Sequence, residues 1–205
     1  MKKRRRKLKK LPFLILIVIV LYGGYLITAK SIKQTAETRL ANYLPEIKDE
    51  LEKNELDADE FAPVLLAIMD QESHGKGSDP MQSSESAGLA RNEIGDPAES
   101  IKQGVYHFSE MYKYGEANDV DLETIIQSYN MGPGYIDFVV NSDTNHSEET
   151  AKSYSELMVE KSPDLYTCNN DKLNFRYPYC YGDYSYAGKV TAKIDAMNKL
   201  VRQHL

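Results

Sequence analysis

An uncharged run near the N-terminus constrains this chain more than any other feature. Residues 11–28 carry no charged side chain and consist mainly of Leu, Ile and Val. As a helix this run would extend about 27 Å, close to the thickness of a bilayer core. We therefore predict one transmembrane helix over residues 11–28. A cleaved signal peptide is the alternative, although Ile27-Thr28-Ala29 matches a small-x-small cleavage site poorly.

The charges on the two sides of this run predict its orientation. Eight basic side chains lie within residues 2–10, whereas Lys30 and Lys33 are the basic residues close behind the run. Because basic residues collect on the cytoplasmic side of membrane spans, we expect residues 1–10 to be a basic cytoplasmic segment. Everything beyond residue 28 is then expected outside the cell, in a single-pass membrane protein.

The charge balance argues against binding to nucleic acid. The whole chain has 25 Lys and Arg against 31 Asp and Glu, a formal net charge of −6. Outside residues 2–10, 17 basic side chains remain against the same 31 acidic ones, a net charge of −14. Phosphate backbones repel so acidic a domain, and we expect no nucleic-acid partner. With 205 residues, 41% of them apolar, the chain can bury one core of ordinary size.

The two cysteines, Cys168 and Cys180, both lie on the predicted exported side. An oxidising compartment favours a disulfide between them, which would close a short loop rich in tyrosine. The alternative is that one of them is a catalytic thiolate, but none of the four histidines is spaced to favour that role. Neither H-E-x-x-H nor paired C-x-x-C motifs occur, so we expect no metal site and no cofactor.

Hydrophobic spacing predicts a mainly helical exported part. Residues 29–42 are interpreted as a stalk, and Pro45 is expected to break or begin a helix, which places the globular domain at residues 43–205. Strand-like alternation is sparse, so the predicted class is mainly α, an α-rich α+β fold with at most a small hairpin. Further helices are predicted from about Asp96 to Tyr112, from Leu122 to Tyr129 and from Tyr186 to Val201.

A carboxylate continues the apolar face of one predicted helix. Glu72 occupies position i+11 of a face whose members at i, i+3, i+4, i+7 and i+8 are Phe61, Val64, Leu65, Ile68 and Met69. Burial on that face would raise the pKa of the Glu72 carboxyl and keep it protonated, as a general acid requires. The alternative is a helix-terminal glutamate turned into solvent. The stripe alone supports both interpretations equally.

Several short motifs occur in an order typical of one enzyme superfamily. They are Gln71-Glu72-Ser73, Met81-Gln82, the run Tyr129-Asn130-Met131-Gly132-Pro133-Gly134, and Tyr186 with Lys189-Val190. Together they resemble the lytic transglycosylase and goose-type lysozyme superfamily. Within it, the chain is most similar to the membrane-anchored lysozyme-like branch of Gram-positive bacteria, which includes the pneumococcal vaccine antigen A type. The resemblance runs from about residue 43 to residue 201 and implies a lysozyme-like catalytic domain.

The resemblance implies roles for the matched residues. Glu72 would be the catalytic acid, with Ser73 beside it. Gln82 would face a sugar groove, and Tyr129 and Asn130 would line that groove near the bond to be cut.

Tyr186 matches the superfamily pattern, whereas Asp79-Pro80 departs from it. Tyr186 is similar to the aromatic residue that approaches the acid from the last helix, although Tyr184 is an alternative. Asp79-Pro80 stands where the superfamily commonly has Gly-Leu, and the interval from Glu72 to Gln82 is short. Both departures leave the shape of the groove and the type of product open.

The implied substrate is the β-1,4 bond between N-acetylmuramic acid and N-acetylglucosamine in peptidoglycan. Glu72 would protonate the bridging oxygen and then act as base toward the muramyl 6-hydroxyl, as in a lytic transglycosylase, or toward water, as in a muramidase. A two-carboxylate hydrolase needs a second acid, for which Asp79, Asp96 and Glu85 are candidates. Glu85 is the best of them because it shares a loop with Gln82, although a solvated Glu85 is equally well supported.

A non-catalytic protein is the competing class: a membrane-anchored wall-binding or spacer protein of a wall-spanning apparatus. A desolvated Glu72 would favour the enzyme class over the binding class, since a protein that only binds glycan does not need a desolvated carboxyl. The expected partners are peptidoglycan strands and, through residues 11–28, the membrane, with the catalytic domain facing the cell wall. A place in conjugation, secretion or wall-remodelling machinery is compatible with either class.

Overall fold

The computed structural model describes residues 11–171 and 173–204. Seven α-helices lie within these residues, together with two short 3-10 turns at Glu85–Ala87 and Cys168–Asn170. The chain divides into two compact units, Met1–Arg39 and Leu40–Leu205. The helices are α1 Leu11–Lys53, α2 Ala58–Glu72, α3 Pro97–Ala117, α4 Leu122–Met131, α5 Gly134–Asn141, α6 Glu148–Lys161 and α7 Tyr186–Gln203.

The described residues contain no strand, so they are helical rather than α+β, and the small hairpin that the sequence allowed is not among them. The two long loops of the C-terminal unit, residues 73–96 and 162–185, are held by other means. Side-chain hydrogen bonds from serines hold the first loop, and a disulfide closes the second.

The N-terminal unit comprises the first part of α1. Its described apolar side chains between Ile15 and Leu26 are all exposed. Among the helices that the structure describes, none is long and apolar enough to cross a membrane. The basic segment at residues 1–10, which is predicted to be cytoplasmic, lies outside the described residues.

Helix α1 continues through Pro45, which corrects the expected helix boundary at that residue. A proline inside a helix removes one backbone donor and costs ~3 kcal/mol. The apolar side chains around it, Leu40, Leu44, Ile47 and Leu51, are at most 4% exposed. Burying each of them contributes about 1.5–3 kcal/mol, so their packing outweighs the cost of the proline.

Helix α2 is the central helix of the C-terminal unit. Asp57 caps its N-terminus by accepting hydrogen bonds from the backbone N–H groups of Asp59 and Glu60. Residues 61–69 are all buried, so the helix is enclosed on every side rather than along the single predicted stripe. It packs chiefly against α7, while α4 packs against both α3 and α7. This arrangement brings the end of α2 close to the start of α7.

The other predicted helices occur close to their expected bounds. Helix α3 begins at Pro97, directly behind the capping residue Asp96, as the sequence indicates. Helix α4 ends where Gly132 adopts φ 75° and ψ 173°, a conformation open essentially to glycine alone. Tyr129 and Asn130 therefore lie in the last turn of α4, at the point where the chain leaves the helix.

The loop before α7 is closed by the disulfide between Cys168 and Cys180. Tyr181 packs edge-on against Tyr154 and Tyr166, with ring centroids 5.7 and 4.8 Å away. The hydroxyl of Tyr181 also donates a 2.7 Å hydrogen bond to the carbonyl of Met131 at the end of α4. These contacts hold the disulfide loop against the helix end that carries Tyr129 and Asn130.

Candidate active site

A groove of about 800 Å³ opens on the C-terminal unit. Its walls come from the end of α2, the loop between α2 and α3, helix α3, the end of α4 and the disulfide loop. Five of the predicted site residues line it: Glu72, Gln82, Glu85, Tyr129 and Asn130. The structure thus gathers in one place residues that are far apart in the chain.

Glu72 is half-buried at the last residue of α2. The hydroxyl of Tyr186 donates a 2.6 Å hydrogen bond to its Oε1. Burial raises the pKa of the Glu72 carboxyl, and the opposing effects of this hydrogen bond and of the Arg91 charge do not cancel it. Burial also holds the pKa of the Tyr186 phenol well above its ordinary value, so the hydroxyl remains a donor. A carboxyl with a raised pKa beside an open groove has the property that general acid catalysis needs.

The ring of Tyr186 stacks beside that of Tyr129, with 7° between the ring planes and 6.4 Å between the centroids. Tyr184, the alternative to Tyr186, lies instead against Lys152, whose Nζ is 4.9 Å from the centre of the Tyr184 ring. Tyr186 is therefore the tyrosine that contacts Glu72.

Two hydrogen bonds fix Tyr129. Its hydroxyl donates to the Met81 carbonyl at 3.0 Å, and the Nε2–H of His107 donates to its backbone carbonyl at 3.0 Å. Burial lowers the pKa of His107, and the hydrogen bond to Tyr129 only partly opposes this shift. A neutral His107 thus connects α3 to the end of α4.

Asp79 is a buried carboxylate, 3% exposed. Its Oδ1 accepts hydrogen bonds from Ser83 N at 2.9 Å and Ser100 Oγ at 2.6 Å, and its Oδ2 accepts from Ser84 Oγ at 2.6 Å. Burial alone would raise the pKa of Asp79, but the bonds from Ser100 and Ser84 hold that pKa below its usual range. The carboxylate ties the loop at residues 79–84 to α3.

Gln82 and Ser73 both make contacts within this loop. Gln82 has a positive φ of 47°, and its Nε2 donates to the Asp79 carbonyl at 3.0 Å and to Asn92 Oδ1 at 2.6 Å. Ser73 Oγ donates to the Pro80 carbonyl at 2.7 Å. The Asp79-Pro80 pair that departs from the superfamily pattern therefore supplies both the serine-binding carboxylate and the acceptor for Ser73.

The three candidates for a second carboxylate have different surroundings. Glu85 is exposed and lines the groove with Glu72. The Asp79 carboxylate accepts hydrogen bonds from Ser84 and Ser100. Asp96 caps α3 by accepting a 3.2 Å hydrogen bond from Ala98 N. Of these three, Glu85 is the one that lines the groove.

The sequence and the fold match known proteins. Residues 37–194 match the family described as Lysozyme-like. The chain belongs to the lysozyme-like family. The lysozyme-like chain is 54% identical over 180 residues to the uncharacterized membrane protein YocA of Bacillus subtilis, which covers 87% of this chain and 79% of YocA. It is 33% identical over 151 residues to pneumococcal vaccine antigen A of Streptococcus pneumoniae, covering 74% and 72% of the two chains. The resemblance to this Gram-positive branch is confirmed.

Two longer proteins also contain a similar domain. The bifunctional muramidase/DL-endopeptidase CwlT of Bacillus subtilis is 32% identical over 139 residues, which cover 68% of this chain and 37% of CwlT. A crystal structure of a lipoprotein-like protein of the NLP/P60 family from Staphylococcus aureus superposes with a TM-score of 0.65 at 31% identity. That match covers 77% of this chain and 52% of the other. The lysozyme-like chain spans about half or less of the length of these two proteins.

Sequence reasoning missed several residues that line the groove of this lysozyme-like domain, among them Arg91, His107 and Tyr181. They come from a loop, from α3 and from the disulfide loop, so no local spacing relates them to Glu72. One sequence feature could have drawn attention to Arg91: it is one of only two Lys or Arg residues between Glu72 and Lys102.

Proposed function

We propose that this protein cleaves the β-1,4 bond between N-acetylmuramic acid and N-acetylglucosamine of peptidoglycan, with Glu72 as general acid and then general base. The observation that carries the proposal is the half-buried Glu72 carboxyl, with its raised pKa, in the lining of the groove. Membership of the lysozyme-like family supports a glycosidase. The muramidase named in CwlT supports a peptidoglycan substrate.

The proposed reaction has two steps at one carboxyl group. Glu72 first donates its proton to the bridging oxygen while the bond from that oxygen to the muramyl C1 breaks, leaving an oxocarbenium-like centre. The Glu72 carboxylate then takes a proton from the attacking nucleophile. Water as nucleophile gives hydrolysis, and the muramyl 6-hydroxyl gives a 1,6-anhydro product. The hydrogen bond from Tyr186 stabilises the carboxylate between the two steps.

Glu85 distinguishes two versions of this mechanism. A two-carboxylate hydrolase needs a second acid about 5–9.5 Å from the first, and Glu85 lines the same groove as Glu72. A single-acid lytic transglycosylase does not need it. We expect Glu85→Gln to abolish cleavage only if the enzyme is a muramidase of the two-carboxylate kind.

Mass spectrometry of muropeptides released by the full-length protein tests the proposal. We expect Glu72→Gln to lower the rate of cleavage by ~10²–10⁴-fold, because Gln has no transferable proton. Glycan binding should remain, because Gln keeps the volume of Glu. Glu156→Gln, an exposed change on α6, is the matched control and should retain full activity. The masses of the products separate hydrolysis from 1,6-anhydro formation.

Full cleavage by the Glu72→Gln variant would exclude this residue as the catalytic acid. A wild-type protein that binds strands without cutting them would instead favour the wall-binding or spacer class.

We also propose that residues 11–28 anchor the protein in the cell membrane, with the N-terminus in the cytoplasm and residues 43–205 facing the wall. The uncharged run, the eight preceding basic residues and the membrane protein named among its relatives support this topology. Protease added to wall-free intact cells should then digest epitopes beyond residue 30 and spare the N-terminus. A protected C-terminus would contradict the orientation.

A further inference from the structure

The groove is unevenly charged. Among its described lining residues, Arg91 is the one Lys or Arg, and it shares the groove with the two glutamates Glu72 and Glu85. Arg91 is exposed, and within the part of the chain that the structure describes it forms no ion pair or side-chain hydrogen bond. Its guanidinium donors are therefore free for a ligand.

The loop that carries Arg91 is anchored on both sides. Before it, Leu89 N donates to the Ser84 carbonyl at 3.0 Å. After it, Asn92 accepts the 2.6 Å hydrogen bond from Gln82, and Ile94 N donates to Ser84 Oγ at 3.0 Å. The backbone around Arg91 is thus held to the same loop that presents Gln82 to the groove, so the fold determines where this cation lies.

Arg91 also acts electrostatically on the catalytic region. Both groups line the same groove, and the positive charge of Arg91 opposes, without cancelling, the rise that burial causes in the pKa of Glu72. The rest of the domain is acidic, and the groove itself presents Glu85. An anionic substrate would be repelled by those carboxylates, and Arg91 offers the attraction that offsets them.

We propose that Arg91 binds a carboxylate carried by the substituent on the muramyl residue and makes the enzyme prefer anionic glycan. This proposal rests on the proposed function. Two sources offer that chemistry: the carboxylates of the peptide attached to the lactyl group, and the lactyl carboxylate itself where the peptide has been removed. A guanidinium suits either, because it can bind a carboxylate with two parallel hydrogen bonds.

Three soluble glycan preparations distinguish the sources. One carries peptides with free carboxylates, one carries the same peptides with the carboxylates converted to amides, and one is peptide-free with free lactyl carboxylates. KM and kcat are measured with the full-length protein as wild type, Arg91→Gln and Arg91→Lys. Arg202→Gln, which removes the same charge from an exposed position on α7, is the matched control.

We expect Arg91→Gln to raise KM about tenfold or more on the anionic glycan that Arg91 recognises and less than about twofold on the amide form. Arg91→Lys should recover part of the loss because it keeps the charge but not the two parallel donors. Arg202→Gln should leave KM unchanged. The anionic preparation on which KM rises identifies the source of the carboxylate.

A rise in KM that is the same on anionic and amide glycan would overturn the proposal. So would an unchanged KM with a displaced pH profile, which would mean that Arg91 acts only through Glu72. Should no preparation be cleaved by the wild type, the proposed function fails, and glycan affinity still decides the role of Arg91. Arg91→Gln should then weaken binding of the anionic glycan alone, and an equal loss of affinity for the anionic and the amide glycan would refute that role.

Discussion

The hydroxyl of Tyr186, the first residue of α7, donates a 2.6 Å hydrogen bond to the carboxyl of Glu72, the last residue of α2. The two residues are 114 positions apart in the chain. A second contact joins the same two helices, between Lys193 Nζ and Asp70 Oδ2 at 2.9 Å. The protonation of the candidate acid therefore depends on how α2 and α7 pack.

Tyr186→Phe should move the alkaline limb of the pH–rate profile to higher pH. The hydrogen bond from Tyr186 lowers the pKa of Glu72, so its removal raises that pKa further and keeps the acid protonated at higher pH. We also expect kcat to fall roughly tenfold, because the carboxylate formed during turnover loses a charge-assisted hydrogen bond. The measurement is muropeptide release against pH. Tyr184→Phe is the control, and an identical profile for Tyr186→Phe would show that the bond does not tune the acid.

Asp79→Asn should destabilise the domain by about 2–4 kcal/mol at neutral pH, since an amide cannot accept all the hydrogen bonds from the serines. The pKa of Asp79 is lower in the folded chain than its ordinary value of 3.8. The contribution of the Asp79 carboxylate to the free energy of unfolding is therefore complete above pH 3.8. It is lost as the pH falls below that value through the folded pKa.

Urea unfolding of wild type and variant from pH 7 downward measures this difference, which should shrink only in acid. Asp96→Asn is the control, because Asn and Asp cap helices about equally well. A difference that stays constant into acid would exclude the Asp79 carboxylate as its cause.

Gly182→Ala should lower activity by displacing Asn130. A Cβ at residue 182 would lie 2.9 Å from Asn130 Oδ1 and 2.7 Å from Met131 Cγ, and the backbone there has φ 58°. Asn130 Oδ1 now accepts a 2.6 Å hydrogen bond from Asp183 N, which the shift would break. We expect a loss of about 1–3 kcal/mol in unfolding free energy together with reduced cleavage.

The control for this variant is Gly188→Ala on α7. A Cβ there would meet nothing within 4 Å, and Ala should add up to about 1 kcal/mol as a better helix former. Equal activity and stability for Gly182→Ala and wild type would mean that the loop moves aside freely.

The bond between Cys168 and Cys180 should leave no alkylatable thiol in exported protein, as intact mass under non-reducing conditions would report. Replacing both residues by Ser should cost about 2–3 kcal/mol, because the unfolded loop regains freedom. Urea unfolding with and without reductant measures the loss, and reductant should not affect the double variant. Two free thiols in the exported protein would rule out the bond.

Local patterns in the sequence predicted four of the seven described helices, α2, α3, α4 and α7, and pointed to the acid, whereas α5 and α6 were not predicted. The 3.6-residue spacing of Phe61 to Met69 predicts α2, Asp96-Pro97 predicts the start of α3, and Gly132 predicts the end of α4. These signals depend on backbone conformations and side chains within one or two turns, which a single sequence displays. Local rules did not predict that the helix continues through Pro45, because the packing of the apolar side chains around Pro45 in the core stabilises it.

Only the tertiary structure decided the surroundings of that acid. The stripe left Glu72 equally compatible with solvent and with burial, and the structure half-buries it beside Tyr186. It also buried Asp79 among serines and brought Arg91 to the groove. Hydration and charge at a side chain depend on which distant groups meet it, and those meetings follow from how the helices pack rather than from any local pattern.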